Sequence, residues 1–122
     1  METKTQTETE YIVSYTRGDA LRDGVLVDVS ELAARLRWRV PVVLTAGILD
    51  ALSGDSDQPL SMRPAVVAAL AAAGLSLDET VKLDQRVPFV TPGPSGDVSG
   101  VVVIHRGDAF EIVATLMLDY ED

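Results

Sequence analysis

The stretch from Tyr15 to Glu31, YTRGDALRDGVLVDVSE, constrains the fold of this chain more than any other, because it holds two helix starts, a helix stop and a strand in one short run. Thr16 is placed to cap a short helix running to Asp23, with Asp19 three residues on as its acidic partner. Gly24 stands where a helix ends on a left-handed residue. Val25, Leu26, Val27 and Val29 read as a strand, and their near-continuous apolar character points to a central or doubly covered position. Ser30 is the expected cap of the next helix. All of these are scaffold signals, and none of them prescribes a chemistry.

Around this stretch the pattern of the other residues gives one domain. Residues 1–10, METKTQTETE, are polar and Thr/Glu-rich and read as a disordered arm, leaving residues 11–122 as a single folded unit. Tyr11, Val13 and Tyr15 alternate as a first strand would. Glu31 to Arg37 form a second helix with Leu32, Ala33 and Leu36 on one face. A third helix starts at Pro41 and runs to about Leu52, or else starts after Thr45 as N-cap and leaves Val42 to Leu44 extended. The fourth, Met62 to Ala73, is capped by Ser61, tolerates Pro64 in its first turn and stops at Gly74. Its run of alanines leaves a smooth surface suited to close packing.

Beyond it the apolar period changes to two. Leu77, Val81, Leu83, Val87 and Phe89 read as a strand whose end Pro88 places at an edge or a bulge, and Thr91 to Asp97 read as loop. Val98 to His105 and Phe110 to Leu118 flank a hairpin turn with Gly107 and Asp108 at its centre and a positive φ at Gly107. In that register Phe110, Ile112, Ala114, Leu116 and Leu118 face one way, with Val101, Val103 and His105 beside them. The expected class is α+β: a small antiparallel sheet with a C-terminal β-hairpin and helices packed on one face.

The composition excludes more than it proposes. There is no cysteine, which removes disulfides, thiol catalysis and thiolate metal sites, and the single histidine, His105, has no carboxylate cluster near it in sequence. No metal, cofactor or catalytic set is expected. Asp19, Asp23, Asp28 and Glu31 are close enough in sequence to run acid/base or metal chemistry, but two caps and a strand end account for most of them. Arg-Gly-Asp occurs at 17–19 and at 106–108, both times where turn and cap chemistry place Gly and Asp anyway. A formal net charge of -9 repels phosphate backbones and anionic membranes. No direct nucleic-acid binding and no membrane span are expected, and the cytoplasm is the expected compartment.

Two surfaces remain as candidates for a protein partner. Arg35, Arg37, Trp38 and Arg39 form the one basic cluster in an acidic chain, and arginine and tryptophan are the residues that dominate binding hot spots. The acidic run Asp119, Glu121 and Asp122 follows an apolar strand and suits a basic groove.

The residues SYTRGDALRDGVLVDVSELA, followed after a gap by PVVLTAGI, and the C-terminal ATLMLDYED resemble an uncharacterised family of small proteins carried by bacterial phages, plasmids and other mobile elements. The resemblance runs from Ser14 to about Ile48, is weak at the C-terminus and departs between Pro59 and Leu77. The family has no established activity, so it assigns no residue a role. It implies a context, in which a small acidic protein binds a host or defence protein in a bacterial cytoplasm. The expected function is thus a non-enzymatic binding module that blocks or modulates that protein, as an anti-CRISPR or anti-restriction inhibitor would. The alternatives are a small enzyme using the carboxylates at 19, 23, 28 and 31, and a subunit that self-associates through the alanine-rich helix or a sheet edge.

Overall fold

The computed structural model describes residues 17–22, 24–53 and 58–121. The arm at 1–10, the strand at Tyr11 to Tyr15, the cap at Thr16, and the side chains of Asp23 and Asp122 lie outside the described residues. In chain order the elements are α1 (Arg17–Arg22), β1 (Leu26–Asp28), α2 (Ser30–Arg35), β2 (Val42–Thr45) and α3 (Ala46–Ser53). A 3-10 turn (Leu60–Met62), α4 (Pro64–Leu75), β3 (Arg86–Gly93), β4 (Gly96–Arg106) and β5 (Ile112–Leu118) follow. The class is α+β, and among the described residues five strands form one sheet in the order β1-β2-β5-β4-β3.

The sheet is mixed and not wholly antiparallel. β2 runs parallel to β5, with Val42 opposite Ala114 and Leu44 opposite Leu116, while every other pairing is antiparallel. The strand expected to be central is at the edge instead. β1 is only three residues long and half-buried, because Val25 before it is 49% exposed and Val29 after it turns into the core under α2. The central strand is β5, in which every residue from Val113 to Leu118 is buried. Such a run is what a strand covered on both faces requires.

One face carries Val42, Leu44, Ala114, Leu116, Leu118, Val102, Val87 and Phe89 against Ala33 of α2, Ile48 and Leu52 of α3, and Val66, Ala69, Leu70 and Ala73 of α4. Val43, Val101, Val113 and Met117 point to the other face and are also buried, outside that helix-covered cluster. Among the described residues no helix is long and apolar enough to cross a membrane.

Several local expectations hold and several do not. Gly24 is left-handed at φ 75° and ends α1 as expected. Of the two starts for the third helix, the later one is found: Thr45 Oγ1 accepts the N–H of Ile48 and caps α3. Ser30 does not cap α2. The Asp28 carboxylate accepts the Ser30 N–H at 2.8 Å in that role, and the Ser30 hydroxyl accepts the Val42 N–H at 2.9 Å and so ties α2 to β2. The fourth helix begins two residues late, at Pro64, and runs through Gly74 to Leu75, where the Ser76 N–H closes it on Ala72 and Ala73.

Residues 77–85 are turns and not strand, whereas the segment expected as loop carries the β3–β4 hairpin, closing between Gly93 and Gly96. Pro88 does lie on an edge strand, β3. The β4–β5 turn is wider than a tight pair at 107–108. The N–H of Gly107 donates to the Glu111 carbonyl, and the positive φ falls on Phe110, at 64°, instead of Gly107. That widening moves the register by three residues, placing Arg106 opposite Ile112 instead of Ala109, so Gly100, Val102 and Ile104 face the helices beside Leu118, Leu116 and Ala114. Val101, Val103 and His105 lie on the opposite face, since a shift by an odd number of residues sends every side chain across the sheet.

Candidate functional site

The end of α2 shapes an apolar groove at one end of the sheet. The N–H groups of Arg37 and Trp38 donate to Ala34 and Ala33, the bond pair that ends a helix on a left-handed residue. That residue is Arg37, with φ 71°. The turn throws Trp38 onto α4, where its indole N–H donates to the Leu70 carbonyl at 3.1 Å. Gly74 lies against the ring, and a Cβ there would sit 3.6 Å from Nε1. Trp38 is therefore half-buried and satisfied, a strut between α2 and α4 whose ring also lines the groove.

The groove encloses about 600 Å3, with Leu36, Val40, Leu77 and Ile104 among its apolar walls. Leu75, 88% exposed, stands at one lip. Arg37 and Arg39, both exposed, stand at the other. Among the described residues no side chain or carbonyl pairs with the guanidinium of Arg35, Arg37 or Arg39. They stand without an ion pair in a chain of net charge -9. Arg35 faces away from the groove, into a smaller cleft of about 230 Å3 that it shares with Asp28, Glu31 and Leu60.

Three non-glycine residues among those described have a positive φ: Arg37, Asp84 and Phe110. All lie at this end of the sheet. Arg37 lines the groove, the Asp84 N–H donates to the carbonyl of Ile104 in its wall, and the Phe110 carbonyl accepts from Arg106 two residues further along β4. Left-handed backbone in residues with a Cβ is costly, and it gathers where function or tight turns demand it.

The acidic C-terminal candidates behave differently. Glu121 is half-buried, and its carboxylate accepts the Thr45 hydroxyl at 2.8 Å and the Leu118 N–H at 2.7 Å. It belongs to the start of α3, and Gly47 leaves room for it, since a Cβ at that position would lie 2.8 Å from Glu121 Oε1. Arg86 holds the same segment by donating to the carbonyls of Asp119 and Glu121. Asp119 is exposed.

Of the carboxylates of the enzyme alternative, the described ones, Asp19, Asp28 and Glu31, do not converge as a set. Asp19 pairs with Arg22 on α1, while Asp28 and Glu31 share the small cleft with Arg35. His105 is not beside them: its Nε2 lies 2.7 Å from the Thr115 hydroxyl and its Nδ1 3.0 Å from the Arg106 carbonyl. Among the described residues no three His, Cys, Asp or Glu side chains are placed to hold a metal ion. The two Arg-Gly-Asp copies touch each other, the Gly18 N–H donating to Asp108 Oδ2 at 2.8 Å, so Asp108 is engaged in joining α1 to the β4–β5 turn. Asp78 is held below the usual carboxylate range by the Thr80 hydroxyl and N–H, an exposed turn-forming contact.

Leu75, Leu77 and Ile104 are the groove residues that sequence reasoning passed over. The signal was Gly74: taken as a helix stop, it put Leu75 in a loop, whereas it serves as the flat seat for Trp38 and lets the helix carry Leu75 to the surface. Compared with protein-family models, curated proteins and solved structures, the chain matches none.

Proposed function

We propose that this chain acts by binding another protein at the Trp38 end of the fold and not by turning over a substrate. The observation that carries the reading is the set of unpaired guanidiniums at Arg37 and Arg39 beside an apolar groove with Leu75 at its lip, in a chain of net charge -9. Exposed arginine next to a desolvating apolar surface is the composition of a binding hot spot. The resemblance to mobile-element proteins supplies the partner class: a host or defence protein of a bacterial cytoplasm, blocked as an anti-CRISPR or anti-restriction inhibitor blocks its target. The acidic C-terminal run supports a partner surface less, because Glu121 is engaged within the fold.

The test is affinity capture from host lysate, followed by rate measurements on the captured protein. Leu75→Asp and the pair Arg37→Glu with Arg39→Glu are expected to weaken binding by about tenfold or more, mainly through faster dissociation. Asp119→Lys should change the affinity little. A partner held equally well by all the variants, or a turnover that depends on Asp28 or Glu31, would overturn the reading.

A further inference from the structure

Resting on that reading, we infer that the occupant of the groove is an acidic segment of the partner carrying two or three apolar side chains. Its apolar residues would lie on Leu75, Leu77 and Ile104, and its carboxylates on Arg37 and Arg39. Charge complementarity favours this occupant: among the described residues no carboxylate lines the groove, and neither guanidinium at its lip has a partner. The C-terminal ends of α2 and α4 also come to this place, each bringing roughly half a negative charge. Arg37 and Arg39 nonetheless present planar donor forks of the kind that pair bidentately with carboxylates.

Other occupants fit less well. Nucleic acid would also meet the arginines, but the remaining charge of the chain repels phosphates. A second copy of the chain would bring -9 against -9.

Trp38 is the only tryptophan, so its fluorescence reports the groove directly. The probes are two short synthetic peptides with leucines at helical spacing, one with glutamates between them and the other with lysines at the same positions. The glutamate peptide is expected to shift the Trp38 emission saturably, at least about tenfold more tightly than the lysine peptide, and to weaken as salt rises. Arg37→Glu with Arg39→Glu should reverse the preference. Arg37→Gly, which relieves the left-handed backbone and so cannot fail through misfolding, should weaken the glutamate peptide alone.

Equal or tighter binding of the lysine peptide, or no shift with either, overturns the inference. The captured partner separates this failure from that of the broader reading. Binding lost in Leu75→Asp but untouched by both arginine variants would keep the surface and reject the acidic occupant. Indifference to every variant would reject the surface itself.

Discussion

Arg37 holds a backbone conformation that glycine adopts freely and a residue with a Cβ adopts at a cost. Arg37→Gly is therefore expected to raise stability by about 0.5–1 kcal/mol, read as a higher urea midpoint with an unchanged slope. Thr91 is the opposite case. It is fully buried on the helix-covered face of β3, and its hydroxyl has no hydrogen-bond partner. Thr91→Val keeps the shape and removes an unsatisfied polar atom, so it should leave stability unchanged or raise it by about 1 kcal/mol, measured by thermal melting. Neither site was legible in the sequence. An arginine three residues after an alanine pair carries no sign that the helix will end on it, and a threonine in a β pattern looks the same whether its hydroxyl finds a partner or not.

At the scale of elements, α3 depends on a residue far from it in sequence. Glu121 completes its N-terminal turn through the Thr45 hydroxyl and also accepts the Leu118 N–H. Glu121→Ala leaves both donors half-buried and unmet, and is expected to cost about 1–3 kcal/mol, with amide exchange rising first at residues 46–48. A glutamine at 121 should recover part of that loss.

What the sequence revealed at this scale follows the range of the forces involved. Helices α2, α3 and α4 were legible from apolar spacing, and Gly24 and Thr45 from local capping chemistry. Positions within the sheet were not, because a strand's place depends on partners distant in the chain. β1 and β5 both read as apolar runs, yet one is the edge and the other the centre. The groove's arginines and Trp38 were readable from 37–39, while Leu75, Leu77 and Ile104, which complete its apolar wall, come from distant parts of the chain and needed the tertiary fold.

At the scale of the molecule, the two edges of the sheet formed by the described residues are blunted. β1 is three residues long, and β3 carries Pro88 and Pro92, which give no N–H to an incoming strand. Assembly by strand addition is disfavoured on this account, and a self-associating role would have to use another surface. The sheet's centre is another matter. β2 is held by β1 on one side and by β5 on the other, and Val42 must wait for Ala114 before the parallel pair can form.

On a ribosome, therefore, the first half of this protein emerges without the strand that completes it. β2 and the apolar side of α3 leave the exit tunnel before β5 does, and no native sheet can close until it arrives. A fragment ending at residue 105 should show no cooperative melt and should bind a hydrophobic dye, whereas the full chain melts in one step. Pairing Thr45 with Glu121, 76 residues apart, is also the kind of long-range contact that slows folding. The nascent chain thus passes through a stage in which its most apolar segments are open to chaperones.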